Sequence, residues 1–257
     1  FSTMKKYCLD LRVVSATHLS DHHVLLKLTH DDTLPDMLPG QFVEVRVDNS
    51  PSTFLRRPIS INYVDYDRNE LWLLVAGIGD GTRHLCQLCA GDIVNCLLPL
   101  GNGFSQVFHK KVLLVGGGVG VAPLLWQGSK LRQEGSEPSF LLGARSAKDL
   151  LELDLFKEIG NVYVTTEDES EGEKGFVTNH SVLRHEKFDV IQTCGPKPMM
   201  KAVARYAKAN GINCEASLEN MMACGLGACL CCVEKTVEGN LRVCQDGPVF
   251  NIDKLLW

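Results

Sequence analysis

Five cysteines lie close together near the carboxyl end of this chain, and four of them have a recognisable spacing. The four follow the pattern C-x4-C-x2-C with a further cysteine downstream, and they are Cys224, Cys229, Cys232 and Cys244. This is the ligand spacing of plant-type [2Fe–2S] clusters, in which four thiolates converge on two irons. Gly225 and Gly227 allow the intervening loop to fold closely around inorganic sulfide and to expose its backbone N–H groups. The spacing therefore predicts a [2Fe–2S] cluster on these four cysteines.

A zinc site is the alternative interpretation of the same segment. Structural zinc sites usually contain paired C-x2–4-C knuckles, and this segment has one such pair. A zinc-stapled module that acts as a binding protein is therefore the non-enzymatic alternative.

Cys231 breaks the cluster pattern whereas Cys232 fits it, so we predict that Cys231 is not a ligand. The chain has 11 cysteines, an odd number, and no visible export signal, which argues against a disulfide framework.

Length and composition indicate a folded globular chain. The 257 residues are 45% hydrophobic with a formal net charge of −5, which is enough apolar material for about two domains and excludes disorder. The chain has no run of Lys and Arg, so we expect no nucleic-acid partner. No apolar stretch approaches the ~18 residues that span a bilayer, so we expect no membrane segment. No apolar signal region follows the N-terminus, and residues 1–3 ahead of Met4 resemble an addition from cloning, so we expect a cytoplasmic protein.

The first region, residues 5–105, predicts an antiparallel six-stranded β-barrel. Short β-rich runs recur at nearly regular spacing and are separated by turn clusters, a pattern typical of small barrels or sandwiches. The six predicted strands cover residues 7–16, 23–29, 41–47, 59–64, 71–76 and 93–98. One helix is predicted at 82–89.

The second region, residues 106–211, predicts a doubly wound parallel α/β domain, because apolar strands alternate with helices. The predicted strands are 111–115, 139–142, 162–166 and 189–193, and the predicted helices are 123–134, 147–158 and 198–210. The third region, residues 212–257, predicts a small β-rich [2Fe–2S] domain with strands at 232–237 and 240–243. A metal staple would help so small a unit, whose own core is limited. The fold class is therefore α+β with several domains.

Two motifs in the second region point to a dinucleotide. The strand at 111–115 is followed by a glycine-rich turn, in which Gly117, Gly118 and Gly120 would let a pyrophosphate approach the backbone and the next helix N-terminus. A second motif, Cys194-Gly195-Pro196, follows the strand at 189–193, at the edge where open α/β sheets bind ligands. A tightly packed turn without a ligand is the alternative for the glycine-rich motif alone.

A third motif lies in the barrel region. Arg57 is a natural phosphate partner and Ser60 is a hydroxyl donor in the run Arg57-Pro58-Ile59-Ser60. Gly81 and Thr82 form a turn before the predicted helix, where a second phosphate could bind. In isolation, an arginine on a strand edge and an ordinary turn explain these residues equally well.

Taken together, the motifs at 57–60, 81–82, 116–123 and 194–196 resemble the ferredoxin–NADP reductase superfamily. The four-cysteine unit and the segment 242–250 narrow the resemblance to electron-transfer subunits of class 1B dihydroorotate dehydrogenases, over residues 5–257. The resemblance implies FAD held by Arg57, Pro58, Ile59, Ser60, Leu74, Val75, Ala76, Gly81 and Thr82. It implies NAD in the second domain, held by Gly117, Gly118, Gly120, Gly195 and Pro196. It implies a cluster on the four cysteines, and it places the catalytic candidate Cys194 near the contact of nicotinamide and flavin.

The three cofactors fit one another by electron counting. Nicotinamide exchanges a hydride, which carries two electrons, whereas a cluster of this type moves one electron at a time, and a flavin connects the two. The predicted function is therefore a relay from cluster to FAD to NAD+. No acid–base constellation for dihydroorotate oxidation is evident, and the resemblance implies that a separate FMN-containing catalytic subunit carries it out. That partner would form a heterotetramer with two copies of each chain, in the de novo synthesis of UMP.

The resemblance also predicts a docking face on the cysteine loop. Leu226 and Leu230 would be exposed without the partner, and Met221 and Met222 would join the contact. Packing of these side chains on the flavin domain is the alternative.

Two further alternatives concern function. The flavin subunit of a sulfhydrogenase or of a ferredoxin–NADP transhydrogenase shares nearly every motif.

The choice between NAD and NADP is a separate question. Arg145 could pair with the 2′-phosphate of NADP, and residues 143–148 contain no acid that would bind a ribose diol. The resemblance nevertheless implies NAD.

Overall fold

The computed structural model describes residues 4–257, so the interpretation of residues 1–3 lies outside the described part. The chain forms two compact units, each built from several stretches of sequence. The barrel unit comprises the residues up to Gly103 together with Asn220–Glu234 and Leu241–Pro248. The sheet unit comprises Phe104–Glu219, Lys235–Asn240 and Val249–Trp257. Division into three domains at 5–105, 106–211 and 212–257 stays a prediction.

The barrel unit contains the six-stranded antiparallel barrel that the sequence predicts. Its strands close in the order β1-β2-β5-β4-β3-β6. They are β1 (Tyr7–Ser20), β2 (His23–Thr29), β3 (Phe42–Val45), β4 (Arg57–Asp65), β5 (Glu70–Ala76) and β6 (Ile93–Leu100). Alternate residues such as Leu11 and Val13 of β1 point into the core, while their neighbours are exposed, as a strand period of two requires.

One short helix, α1 (Asp80–Leu85), follows β5 in this unit. The sequence predicts a helix at 82–89, which is wrong at both ends. The Thr82 hydroxyl accepts hydrogen bonds from the N–H groups of Ile78 and Gly79, both at 3.0 Å, and this brings the start forward. Cys86 N–H still donates to the Thr82 carbonyl, but the N–H groups of Gln87 and Leu88 donate to carbonyls only three residues earlier, so the helix ends.

The sheet unit is built on seven strands in the order β10-β9-β8-β7-β11-β12-β15. Its strands are β7 (Lys111–Gly117), β8 (Glu137–Ala144), β9 (Asn161–Thr166), β10 (Glu173–Lys174), β11 (Val190–Cys194), β12 (Asn213–Ser217) and β15 (Val249–Asn251). All neighbours are parallel except β12 and β15, which are antiparallel. The central strands are buried on both faces, which explains their unalternating apolar sequence.

Residues 213–217 and 249–251 fall in the predicted C-terminal region, whereas the structure adds both to the large sheet as β12 and β15. Pairing between strands far apart in sequence leaves no local pattern to read. A separate two-stranded sheet contains β13 (Val233–Thr236) and β14 (Gly239–Arg242), close to the two predicted strands.

Four further helices complete the sheet unit, and a fifth follows β14 in the barrel unit. The four are α2 (Ala122–Gln133), α3 (Leu153–Ile159), α4 (Val182–His185) and α5 (Lys197–Ala209), and the fifth is α6 (Val243–Asp246). The predicted helix at 147–158 is shortened from its start because Glu152 adopts a left-handed φ of 56°, which interrupts helical geometry. No helix within residues 4–257 is long and apolar enough to cross a membrane.

Candidate functional site

The cysteine loop, residues 224–232, lies in the barrel unit together with Cys244 on α6. The thiol of Cys224 interacts with that of Cys229, and the thiol of Cys244 interacts with that of Cys232. The charge of Cys224 also reaches Cys244. The structure therefore places the four cysteines that the sequence singles out in two interacting pairs. Within residues 4–257, no group of three or more His, Cys, Asp or Glu side chains is placed so that it could hold a metal ion.

Backbone N–H groups of the loop point at the first cysteine. Leu226 N–H donates to Cys224 Sγ at 3.4 Å, and Ala228 and Cys229 supply further backbone donors. Burial opposes ionisation of this thiol, but these hydrogen bonds outweigh it and lower the pKa of Cys224 to about 6. A loop that stabilises a thiolate in this way fits an iron–sulfur cluster, whose ligands are thiolates.

The other two of the four cysteines are more deeply buried than Cys224 and Cys229. Cys232 and Cys244 are buried, and Cys244 N–H donates to Cys232 Sγ at 3.4 Å. Burial, and then the hydrogen bond and charge of Cys232, raise the pKa of Cys244 to about 12. Cations neutralise such a pair, and metal-bound thiols are deprotonated outright. The donor chemistry of both pairs therefore fits a metal cluster.

Two glycines allow the loop to pack as it does. Gly225 has a φ of 64°, and a Cβ there would lie 2.8 Å from Glu44 Cγ and 3.0 Å from Leu100 Cδ1. Gly227 has a φ of 81° and lies against Gln245 and Arg242. Left-handed backbone and close approach both require glycine at these positions.

Arg242 connects the loop to the helix that carries Cys244. Its guanidinium forms an ion pair with Asp246 at 3.1 Å and donates to the Gly227 carbonyl at 3.4 Å. The hydrogen bond with Asp246 raises the pKa of Arg242. These contacts hold α6 against the cysteine loop.

Cys231, which we predict is not a ligand, is exposed. Leu226 and Leu230 on the same loop are 46% and 62% exposed, and Met221 is 83% exposed. These three side chains are thus available to a partner. Met222 is buried, so the expectation that it joins the docking face is wrong.

The predicted flavin residues lie where β4 and α1 begin. Arg57, Pro58, Ile59 and Ser60 open β4, and each pairs with β3 in antiparallel register. Ile59 is buried, whereas the other three are partly exposed. Leu74, Val75 and Ala76 close β5, just ahead of α1.

Gly81 and Arg57 are brought together although 24 positions separate them. A Cβ on Gly81 would lie 2.8 Å from Arg57 Nε and 2.9 Å from Thr53 Cγ2. The Arg57 side chain makes no ion pair within residues 4–257, so its charge is available to a phosphate. The Thr82 hydroxyl accepts hydrogen bonds from the N–H groups of Ile78 and Gly79 and donates to the Gly79 carbonyl, so it holds the start of α1.

The predicted nucleotide residues meet at the carboxyl edge of the sheet unit. Cys194 at the end of β11 is in parallel register with Gly116 of β7. A Cβ on Gly120 would lie 2.5 Å from Gly195 Cα and 2.7 Å from the Cys194 carbonyl oxygen. A Cβ on Gly117 would lie 3.2 Å from Pro196 Cδ. The two motifs are therefore one constellation, at the edge where such sheets bind nucleotides.

Cys194 itself is buried at 7% exposure. Burial, assisted by the charge of Glu219 and opposed by a hydrogen bond with Ser217, raises the pKa of Cys194 to about 12. The side chain is therefore a neutral thiol at physiological pH. Burial therefore favours a packing or hydrogen-bonding role over thiolate chemistry.

Sequence reasoning missed one residue of this unit, Glu44 of β3. It is fully buried and contacts the cysteine loop at Gly225. Burial raises the pKa of Glu44 to about 7, against the lowering effect of Arg56. The signal was a lone carboxylate in the otherwise apolar run of β3, Phe42-Val43-Glu44-Val45.

Comparison with known proteins gives two matching domain families. Residues 219–256 match the iron–sulfur cluster binding domain of dihydroorotate dehydrogenase B. Residues 114–205 match the oxidoreductase NAD-binding domain. The predicted iron–sulfur and NAD-binding parts are confirmed at this level, and so is the predicted fold class.

Two relatives are similar over most of the chain, and both are electron transfer subunits of dihydroorotate dehydrogenase B (NAD(+)). The protein from Shouchella clausii is 41% identical and covers 85% of this chain and 86% of its own. The protein from Lysinibacillus sphaericus is 40% identical and covers 93% and 95%.

Solved structures share the fold. A structure of an NADH-dependent reduced ferredoxin–NADP oxidoreductase, described for flavin-based electron bifurcation, has a TM-score of 0.87 at 29% identity. It covers 96% of this chain and 90% of its own. The flavohem-like FAD/NAD-binding domain of a Vibrio cholerae nitric oxide dioxygenase, at 22% identity, has a TM-score of 0.66 and covers 79% of this chain and 93% of its own. The second likeness shows the fold alone.

Proposed function

Because the chain belongs to the family of electron-transfer subunits of NAD+-dependent dihydroorotate dehydrogenase B, we propose that it receives electrons singly at Cys224, Cys229, Cys232 and Cys244 and delivers them in pairs to NAD+. It is the oxidoreductase component of pyrimidine biosynthesis that works beside a catalytic subunit. Bound FAD supplies the conversion between one-electron and two-electron transfer. The observation that carries the proposal is the pairing of Cys224 with Cys229 beneath backbone N–H donors, and of Cys232 with Cys244.

We assign a [2Fe–2S] cluster to the cysteine loop. Leu226, Ala228 and Cys229 direct N–H groups at the Cys224 sulfur, and such donors stabilise sulfur ligands and help to set cluster potential. The enclosed pair Cys232 and Cys244 would keep water from the other iron, since both side chains are buried.

We assign FAD to the start of β4 and its surroundings. Arg57 would hold a phosphate, and Gly81 lets the guanidinium lie close to the turn before α1. Ser60 offers a hydroxyl at a partly exposed position. The remaining residues of this assignment are Pro58, Ile59, Leu74, Val75, Ala76 and Thr82.

We assign NAD to the edge constellation of the sheet unit. Gly117, Gly118 and Gly120 leave the backbone of the turn open to a pyrophosphate, and Gly118 is exposed. Gly195 and Pro196 form the opposite wall, with Cys194 as a neutral hydrogen-bonding group beside them.

The catalytic partner would carry FMN and oxidise dihydroorotate, in an assembly of two copies of each chain in the cytoplasm. The fold is shared with a ferredoxin–NADP oxidoreductase, so the fold does not distinguish this function from that of a transhydrogenase subunit. The identity of the partner subunit distinguishes the two. Identity of about 40% to dihydroorotate dehydrogenase subunits, against 29% to that structure, supports the first assignment.

The decisive experiment is iron, sulfide and flavin analysis of the complex purified without oxygen. We expect two irons, two sulfides and one FAD for each copy of this chain, as a [2Fe–2S] flavoprotein requires. Cys232→Ser should remove iron and sulfide, whereas Cys231→Ser, the matched control on the adjacent residue, should retain both. Zinc in place of iron, or full iron in the Cys232→Ser variant, contradicts the proposal.

A further inference from the structure

Glu44 is a buried carboxylate without a hydrogen-bonding partner. Its exposure is 0%, and neither Oε1 nor Oε2 has a partner within residues 4–257. Leaving such a group unpaired in a protein interior is strongly unfavourable, so natural structures pair it with a donor or a ligand. The missing partner of this carboxylate therefore needs an explanation.

The two nearby arginines do not supply it. The guanidinium of Arg56 donates to the Asn95 carbonyl at 3.0 Å, to the Asn95 side-chain oxygen at 2.5 Å and to the main-chain carbonyl of Glu44 at 3.2 Å. Arg57 extends instead to Gly81 and Thr53. Both arginines act on the side-chain carboxyl group of Glu44 through charge, without a hydrogen bond to it.

The carboxylate faces the cysteine loop. A Cβ on Gly225 would lie 2.8 Å from Glu44 Cγ and 3.3 Å from Glu44 Oε1, so the loop covers this side chain directly. Glu44 also lies opposite Pro58, a residue of the flavin assignment, in the register of β3 and β4. It therefore occupies the stretch of barrel wall beneath the loop.

We propose that Glu44 is a positioning residue for the cysteine loop, and that its carboxylate accepts a hydrogen bond from the loop backbone around Gly225 when the loop surrounds its cluster. This inference rests on the proposed ligation of a [2Fe–2S] cluster by the four cysteines. A buried acceptor aimed at the loop would fix the position of Cys224, just as partners behind metal ligands orient them elsewhere. The missing partner of Glu44 and the close fit of Gly225 then have one cause.

The test compares Glu44→Gln and Glu44→Leu in the complex purified without oxygen. Glutamine keeps an acceptor oxygen at the same reach, whereas leucine keeps the bulk and removes the oxygen. The readouts are the visible circular dichroism of the oxidised cluster and the half-life of the cluster in excess chelator. Val43→Ala is the control for a truncation at a buried position of the same strand, because neighbouring strand residues face opposite sides.

We expect Glu44→Gln and Val43→Ala to keep the native spectrum and half-life. Glu44→Leu should alter the spectrum and shorten the half-life by about tenfold, the usual scale for losing a group behind a metal ligand. If Glu44→Leu does not accumulate as folded protein, Glu44→Ala decides in its place with the same expectation.

Two results would overturn the inference. A leucine variant with native spectrum and half-life, especially one that is more stable to heat, would show that Glu44 does not position the cysteine loop. Equal loss in the glutamine and leucine variants would assign the effect to charge and not to the hydrogen bond. A native protein that contains no [2Fe–2S] cluster would instead refute the proposed function, so the two failures are distinguishable.

Discussion

Gln192 donates a hydrogen bond from Nε2 to Oε2 of Glu215 at 2.9 Å, and both side chains are buried in adjacent parallel strands. Gln192 accepts in turn from Gln127 Nε2 of α2 at 2.8 Å. Glu215 also accepts from Ser105 N–H at 3.1 Å and from the Ser105 hydroxyl. The network joins β11, β12, α2 and the first residues of the sheet unit in one satisfied polar cluster.

This network predicts a stability effect. Gln192→Leu removes a donor from a buried carboxylate and an acceptor from Gln127, and we expect a loss of about 2 kcal/mol in the free energy of unfolding. Gln133→Leu, an exposed position on α2, is the control, and it should change stability by no more than about 0.5 kcal/mol. Urea denaturation measures both. Equal stability of the Gln192 variant and the wild type would show that the network contributes nothing.

The contact between Gly120 and Gly195 predicts a loss of nucleotide binding. A methyl group on Gly120 would meet the backbone of Cys194 and Gly195, which cannot move without displacing the second motif. We expect Gly120→Ala to weaken NADH binding by about tenfold or more while FAD content is unchanged. Gly211→Asn is the control, because Gly211 has open space around it and a left-handed φ that asparagine tolerates. Titration of both variants with NADH gives the affinities, and native affinity in Gly120→Ala would rule out this role for the turn.

For Cys194 we predict that its replacement changes the rate of hydride exchange. We expect Cys194→Ala to slow hydride exchange between NADH and the flavin without removing FAD, as measured by stopped-flow absorbance. Because the pKa of Cys194 is raised to about 12, its thiol stays protonated and should add no titration to the rate between about pH 6 and pH 9. An unchanged rate in the alanine variant would reject the role, and a rate that rises with the ionisation of Cys194 would contradict the protonation state.

The exposed residues of the cysteine loop predict a docking defect. Leu226→Asp places a charge on a side chain that is 46% exposed beside Leu230, and an apolar interface rejects an unpaired charge. We expect the catalytic subunit to be lost on co-purification while iron content is retained. Leu256→Asp, at 60% exposure outside the loop, is the control and should keep the partner. A complex that survives Leu226→Asp would place the docking face elsewhere.

His180 predicts a pH dependence of stability. Val182 N–H donates to its Nδ1 at 3.0 Å, so the neutral ring carries its proton on Nε2, which lies 3.6 Å from Glu173. Burial lowers the pKa of His180 from 6.5, against the opposing charge of Glu173. The unfolded chain therefore takes up the proton at higher pH than the folded chain, and stability falls as pH drops below about 6.5 through the folded value.

The measurement is the unfolding midpoint in urea from about pH 8 to about pH 5. His180→Asn keeps an acceptor for Val182 but cannot be protonated, so the decline over this window should be smaller than in the wild type. His22→Asn, at an exposed position, should leave the decline unchanged. Glu173 acts in a separate, more acidic window because its pKa is lowered from 4.5. Identical slopes for the wild type and His180→Asn would remove His180 from the explanation.

Much of the site was predictable because its signals are local. The cysteine spacing lies within one loop and one short helix, and the glycine-rich turn directly follows a buried strand. The barrel strands were also located within a few residues, since alternation and turn residues mark them. Errors fell at helix ends, where side chains such as Thr82 and a single left-handed residue, Glu152, decide the boundary.

Contacts between distant residues were not predictable. Glu44 and Gly225 meet across the barrel unit, and β12 and β15 join a sheet that the sequence assigned to another region. Met222 is buried and Met221 exposed, although the two are adjacent and chemically identical.

The sequence by itself determined the thiols and their spacing, the glycine-rich turn after a buried strand, and the alternation of residues that builds a barrel and a parallel sheet. Only the tertiary structure decided which buried polar groups are hydrogen-bonded and which, like the Glu44 carboxylate, have no hydrogen-bonding partner within residues 4–257. The reason is physical. Local patterns depend on bonded neighbours and on the period of a strand or helix, whereas burial and hydrogen-bond partners depend on chain segments that packing brings together from far apart in sequence.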